Sequence, residues 1–209
     1  GRLTEGKLPR CSTKFSRPKR EHLQADTMTT AVIIVAAGSG LRLGSPLPKA
    51  FVSVAGVPML QHAFSALSGW SRWDSLVLVV PGGYEAPARA LATGMDSVHI
   101  VVGGETRGDS VQQGLAALPS GTTHVLIHDA ARALMPPEVF DRVLDALQSG
   151  AKGVIPHVPV VDTLVTVGEL SSTQGGVNRD ELGSVQTPQG FDVGALVQAY
   201  ASTSQEFTD

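Results

Sequence analysis

Blocks of apolar residues alternate with amphipathic stretches along most of the chain. Residues 31–37 (AVIIVAA) are small or β-branched and apolar, and the run stops at Gly38-Ser39-Gly40. A short apolar run bounded by a turn signal predicts a strand buried on both faces of a parallel sheet. Runs of the same kind occupy 75–80 (SLVLVV, stopped by Pro81-Gly82-Gly83), 98–102 (ended by Gly103-Gly104), 124–128 (followed by Asp129-Ala130-Ala131-Arg132) and 153–156. Between them the period changes to that of a helix. Residues 58–68 place Met59, Leu60, Ala63, Phe64 and Leu67 on one face, with Pro58 suited to the first helical position. Further helices are expected over about 85–92, from near Thr106 through 110–118, from Pro136-Pro137 to Leu147, and over 193–200. Residues 51–54 could add a short strand. The alternation predicts an α/β fold: a mostly parallel, Rossmann-like sheet with helices on both faces and right-handed crossovers.

Residues 158–180 break this rhythm. VPVVDTLVTV alternates weakly and SSTQGGVNRD is rich in turn formers. The segment reads as a protruding β-arm. A lone hairpin has little core of its own, so the arm is expected to lie on the domain or, by preference, on a second subunit. The chain resumes at 184–186 and Thr187-Pro188-Gln189-Gly190 before its last helix. No strand is expected after that helix. The ending QEFTD does not look like a stop, and the domain is expected to lack its C-terminal end.

The length of 209 residues suits one domain, and 42% hydrophobic with 17% charged residues supports a packed core. A net charge of −3 argues against nucleic acid as the main partner. The single cysteine, Cys11, excludes an internal disulfide framework and a cysteine metal cluster, which fits a reducing, cytoplasmic setting. No apolar run reaches about 18 residues, so no membrane-spanning helix is expected. Charge is uneven: residues 1–27 hold seven Lys/Arg against three acids, a balance of +4 that leaves −7 for the rest. This tail has no apolar centre of a secretory signal. It reads as a basic, disordered extension before a domain over 28–209, with Met28 near the natural start; a nucleic-acid-binding arm is the alternative.

In a parallel sheet the carboxyl ends of the strands share one edge, where open α/β sheets bind ligands. The loops 38–49, 103–110 and 129–132 therefore belong side by side. The first offers glycine backbone and two cations, Arg42 and Lys49, suited to a nucleotide phosphate. The second offers Gly103, Gly104, Arg107 and Ser110. The third offers Asp129, a fit for Mg²⁺ or a substrate hydroxyl, beside Arg132. Each has a plain structural reading too: Gly-Gly after a strand is most often a turn, and Asp129 could cap a helix or pair with Arg132. Common nucleotide motifs fail on spacing. A P-loop needs glycine followed by lysine where Leu43 and Gly44-Ser45 stand, and a dinucleotide fingerprint needs glycine at Leu43 and an immediate helix that Pro46 and Pro48 deny. His124 and His128 share one strand face roughly 13 Å apart, too far to hold one metal ion, so strand-end or edge roles are expected of them. Ser39 and Ser45 lack the context of a serine hydrolase.

The motifs A-A-G-S-G-x-R-(x6)-K at 36–49, G-G-x-x-R-x-x-S-V at 103–111, H-D-A-A-R at 128–132, D-T at 162–163 and T-P-Q-x-F at 187–191 resemble the 2-C-methyl-D-erythritol 4-phosphate cytidylyltransferase family, within the sugar-phosphate nucleotidyltransferases. Order and spacing agree over about 28–209. The resemblance implies cytidylyl transfer from CTP to a methylerythritol phosphate with release of pyrophosphate, dependent on Mg²⁺, in non-mevalonate isoprenoid synthesis. It implies that Arg42 and Lys49 stabilise the transition state at the α-phosphorus, assisted by Arg179. Ala36, Ala37, Gly38, Ser39, Gly40, Gly104, Arg107, Ser110 and Ala130 would form the nucleotide site. Asp129 would meet the sugar phosphate or Mg²⁺, and Thr163, Arg179 and Thr187 would hold the methylerythritol phosphate. It also implies a homodimer in which the arm reaches the neighbouring subunit.

Chains of that family continue past Asp209 and carry a further lysine, so a chain ending there is expected to have weak or absent activity and reduced stability. Ala133 and Ala50 replace residues common in the family, Pro and Gln. Two rival readings share the loops: a ribitol 5-phosphate cytidylyltransferase, and a truncated nucleotide-binding or dimerising module without catalysis.

Overall fold

The computed structural model describes residues 28–38, 40, 44–168 and 172–202. Strand β1 (Thr29–Val35) leads through the glycine loop to a single 3-10 turn (Lys49–Phe51) and a small hairpin, β2 (Ser53–Val54) and β3 (Val57–Pro58). Then follow α1 (Met59–Ser68), β4 (Ser75–Val80), α2 (Glu85–Leu91), β5 (Val98–Val102), α3 (Arg107–Ala116), β6 (Thr122–Asp129) and α4 (Pro137–Gln148). After β7 (Gly153–Val154) come β8 (His157–Pro159), β9 (Val165–Val167), β10 (Thr173–Gly176), a 3-10 turn (Arg179–Glu181), β11 (Gly183–Val185), β12 (Gln189–Asp192) and α5 (Val193–Ser202). Among the described residues no helix is long and apolar enough to cross a membrane.

The main sheet runs β5-β4-β1-β6-β12-β7. The first four strands are parallel, and β12 lies antiparallel to both neighbours. The strict period of a strand divides the core in two. Val32, Ile34, Leu76, Leu78 and Leu126 face Leu60, Phe64 and Leu67 of α1 and Phe140, Val143 and Leu144 of α4. Ile33, Val77, Val79, Val125 and Ile127 face Val111 of α3, with Leu196 and Tyr200 of α5 packed against them. Each large side chain fully withdrawn from water contributes about 1.5–3 kcal/mol, so the interior strands are the thermodynamic centre of the fold.

The expected strands at 75–80 and 98–102 stand as read, and the helices differ by a residue or two at their ends. Pro58 caps α1 rather than opening it: its carbonyl precedes the first helical turn, with ψ 140°. The expected strand at 153–156 is only two residues long, because the chain leaves the sheet at once to begin the arm. Strand β12 carries no strand signal in Gln189-Gly190-Phe191-Asp192. It is recruited by tertiary packing, filling the gap between β6 and β7 while Phe191 joins the α3 and α5 side of the core. Gly190 is required there because α4 crosses closely: a Cβ would collide with Val143 Cγ1 and lie 2.9 Å from Leu147 Cδ1.

The arm is wider than 158–180. Its base is the antiparallel pair β8–β11 and its outer part the pair β9–β10. Its apolar side chains are largely uncovered, Val161 at 79% and Val167 at 67% exposure.

Gly190→Ala should destabilise the domain by about 1–3 kcal/mol through overpacking under α4. Urea unfolding followed by circular dichroism measures this, and a change within error would show that α4 can step back at no cost.

Candidate active site

Four strand ends, those of β5, β4, β1 and β6, are stitched together at the carboxyl edge. The Ala36 N–H donates to Val79 O at 2.8 Å, the Ala130 N–H to Val35 O at 3.0 Å, and the Gly103 N–H to Val80 O at 2.9 Å. The glycine loop closes where the Lys49 N–H meets Gly38 O at 3.4 Å. Gly40 has φ +71°, and a Cβ there would stand 2.8 Å from Lys49 N, so both dihedral and space demand glycine. Gly103 is constrained by space alone: a Cβ would lie 2.5 Å from Ala37 Cβ and 2.7 Å from Ser110 Oγ. The Gly104 N–H donates to Ser110 Oγ at 3.2 Å. Thr106 and Asp109 then cap α3 reciprocally, each side chain accepting from the other's backbone N–H at 3.0 Å. Those hydrogen bonds from Thr106 hold the Asp109 carboxyl below its ordinary range.

Asp129 ends β6 with the parity of Val125 and Ile127, so it points to the α3 side. Its Oδ1 accepts from Arg107 Nε at 3.1 Å, while Arg132 Nε stands 3.7 Å from Oδ2. The Arg107 and Asp129 side chains are about a quarter exposed, at 24% and 28%. The walls enclose a cleft of about 590 Å³, a size suited to a nucleotide.

Nine of the expected residues line this one cleft: Ala36, Ala37, Gly38, Lys49, Gly104, Arg107, Ser110, Asp129 and Ala130. Gly40 lies in the loop but is not part of the wall. Arg42 and Ser39 fall outside the described residues. Thr163 and Arg179 are exposed on the arm and are not among the cleft's lining residues. Arg179 Nη1 donates to Val161 O at 2.7 Å, tying the two sides of the arm together. Thr187 is buried behind the cleft floor, where its Oγ1 accepts from the Asp129 N–H at 3.3 Å and lies 3.0 Å from His128 Nδ1.

His128 corrects the expectation of edge roles for the two histidines, since β6 is interior. His128 is fully buried with its ring 5.2 Å from that of Phe140, and its Nε2 has no hydrogen-bond partner. Burial pushes its pKa down to about 4, the nearby Asp129 charge opposing the shift only in part. The imidazole is therefore neutral at pH 7. Arg132 is a second residue whose place was only half legible. Its Nη1 donates to Gln186 Oε1 at 2.5 Å and its Nη2 to Val185 O at 3.1 Å. It also borders a neighbouring groove of about 400 Å³ with His62, Leu134 and Gln186. Nothing in Gln186 or Gln189 taken singly marked them; their flanking of Thr187-Pro188 before an arginine-bearing edge was the available signal.

Among the described residues no group of three or more His, Cys, Asp or Glu side chains forms a metal cage. The carboxylates on the cleft wall are Glu105 and Asp129, and both Asp129 oxygens face arginines.

A mainly parallel sheet with glycine loops, an arginine, a lysine and an aspartate on a single cleft defines an α/β protein built to handle a nucleotide's phosphates. The chain belongs to the 2-C-methyl-D-erythritol 4-phosphate cytidylyltransferase family, whose model matches residues 30–209. It is 42% identical over 174 residues to the cytidylyltransferase of that name from Nocardia farcinica, covering 83% of this chain and 75% of that one. It is 42% identical over 199 residues to the bifunctional enzyme IspD/IspF of Clavibacter michiganensis, covering 93% of this chain but only 48% of that protein. The crystal structure of the 2-C-methyl-D-erythritol 4-phosphate cytidylyltransferase of Thermus thermophilus superposes with a TM-score of 0.70 at 32% identity, covering 87% of this chain and 81% of that one.

The depressed His128 pKa has a definite sign. The unfolded chain takes up a proton near pH 6.5 that the folded chain refuses until about pH 4. Stability from this group is full above pH 6.5 and falls as pH drops through that window. Between pH 7 and pH 5 His128 should account for about 2 kcal/mol of lost stability. Urea melts of wild type and His128→Asn at both values measure it; parallel pH dependence in the two would refute the assignment.

Proposed function

We propose that the chain transfers the cytidylyl group of CTP to 2-C-methyl-D-erythritol 4-phosphate and releases pyrophosphate, as a cytoplasmic enzyme of non-mevalonate isoprenoid synthesis. The observation that carries this reading, beside family membership, is the convergence of Lys49, Arg107 and the glycine backbone with Asp129 on one cleft. An oxygen of the acceptor's phosphate attacks the α-phosphorus in line, and the bond from that phosphorus to the bridging oxygen of pyrophosphate breaks. Negative charge rises on the equatorial oxygens. Lys49, with Arg42, stabilises that charge more than it stabilises the ground state, which is how fixed cations accelerate phosphoryl chemistry. Ala36, Ala37, Gly38, Ser39, Gly40, Gly104, Ser110 and Ala130 cradle the nucleotide, and Arg107 adds charge at its rim. When bound, Mg²⁺ would neutralise phosphate charge; Asp129 is the residue that would hold it. Thr187 fixes the acceptor side of the cleft from beneath.

Thr163 and Arg179 fit this reading through a homodimer. Both are on an arm with exposed apolar side chains, away from their own cleft wall. Seated on a second copy, the arm would bury those side chains and deliver Thr163 and Arg179 to the partner's acceptor groove.

Pyrophosphate release from CTP and Mg²⁺ with methylerythritol phosphate tests the reaction; release only with ribitol 5-phosphate, or CTP binding without turnover, would overturn it. Lys49→Ala should lower kcat by about 10²–10³-fold with a smaller change in CTP affinity. An undiminished kcat would remove Lys49 from the chemistry.

Mixing inactive Lys49→Ala and Arg179→Ala chains should restore activity to about a quarter of sites, since half the sites in each mixed dimer are intact. Mixtures as inactive as their components would exclude a shared site.

A further inference from the structure

The segment from Gln186 to Gln189 makes one hydrogen bond to each of three charged residues at the sheet edge. Gln186 Oε1 accepts from Arg132 Nη1 at 2.5 Å, the Thr187 hydroxyl accepts from the Asp129 N–H at 3.3 Å, and Gln189 Oε1 accepts from Arg107 Nη2 at 3.1 Å. Asp129 sits between the two arginines, Arg107 on Oδ1 and Arg132 on Oδ2. Both arginines are thus held by the shared carboxylate and by an amide oxygen from the strap, and Arg132 by the Val185 carbonyl as well.

The choice of amide has a physical consequence. A guanidinium has five donors in a fixed plane, so two anchors set its orientation. A carboxylate at either outer position would orient it equally well but cancel its charge. An amide oxygen orients the cation and leaves the charge in place. Two arginines and one aspartate carry a net +1, which stays available to an anionic phosphate. The strap itself is fixed from behind, since Gln189 begins β12, which is paired with β6 on one side and β7 on the other.

We infer that Gln189 is a positioning residue for the nucleotide cleft and Gln186 for the groove beside it: neutral anchors that hold Arg107 and Arg132 apart on either side of Asp129 with their positive charge intact. This rests on the proposed nucleotide reading, and its test includes a readout that does not.

The experiment is a double-mutant cycle on the full chain, with CTP–Mg²⁺ affinity measured by calorimetry. Gln189→Leu should weaken CTP binding by about tenfold, the scale of one lost hydrogen bond to a charged group. In an Arg107→Ala background the same substitution should cost almost nothing, because Gln189 acts only through that side chain. Losses that add in the double variant would overturn the inference, as would unchanged affinity in Gln189→Leu. Gln189→Glu keeps the acceptor oxygen but adds charge, and should bind CTP at least as weakly as Gln189→Leu; wild-type affinity would refute the role of neutrality. Independently of any ligand, NMR of the Arg107 Nε–H should show slower hydrogen exchange in wild type than in Gln189→Leu. Equal exchange would overturn the inference even in a protein that turns over CTP. Absent CTP binding with a wild-type NMR difference would instead sink the nucleotide reading and leave the anchoring intact.

Discussion

The in-register pairing of β1 with β6 is the constraint on which the site depends. Val35 lies opposite Asp129, and the pairing continues without a break from Thr30 opposite His124. Strand side chains alternate with a period of two, so a slip of one residue would turn Asp129 into the α4 core and His128 out toward Arg107. The core forbids it, because Leu126 and His128 occupy one packed face and Val125 and Ile127 the other. Hydrophobic burial of its neighbours in β6 thus fixes the height of the Asp129 carboxylate. The bond from the Ala130 N–H to Val35 O then fixes how the chain leaves the sheet, bringing the third loop level with the first.

The same alternation separates two adjacent residues into different dielectric environments. Asp129 faces the cleft, where Arg107 and Arg132 flank its carboxylate. His128 faces Phe140, where a charge would be costly, and it stays neutral. The Thr187 hydroxyl links the two residues by accepting from the Asp129 N–H and meeting His128 Nδ1. The buried polar pair therefore ties β6 to the segment that opens β12, adding direction that hydrophobic packing alone lacks.

Most of the parallel sheet was legible because its strands are continuous apolar runs ended by glycine or proline, and its cleft was legible because parallel strands share an edge. Gly38, Lys49, Gly104, Arg107, Ser110 and Asp129, named from loop position, line the cleft for that reason, whereas Ala36, Ala37 and Ala130 were implied by the family resemblance. Strand β12 was illegible because its fit comes from a gap between β6 and β7 and from the close crossing of α4, neither of which leaves a mark in Gln-Gly-Phe-Asp. The anchors Gln186 and Gln189 were illegible for a related cause: uncharged amides give no chemical signal until topology brings them to Arg132 and Arg107. The histidines misled because equal spacing on a strand tells which residues share a face but not whether that face is covered. The arm's existence was readable from broken periodicity. Its two-tier form was not, since β8 and β11 pair across more than twenty intervening residues that carry no common pattern.

The arm and the site are one mechanical unit. Strand β11 ends at Val185, whose carbonyl accepts from Arg132, and the next residue, Gln186, takes the same guanidinium through its side chain. The chain reaches Arg132 directly from the arm's base, with no flexible spacer between. A two-stranded ribbon with exposed valines is marginal alone, because few apolar contacts offset the entropy of ordering it. A second copy seated on the arm, as proposed, would lower the fluctuation of β11 and, through Val185 and Gln186, that of Arg132. The coupling runs in both directions by linkage: an anion that immobilises Arg132 also favours the ordered arm. Arm docking and substrate binding at this edge are then expected to reinforce each other without any rearrangement of the sheet, since the elements they share are two hydrogen bonds and one side chain.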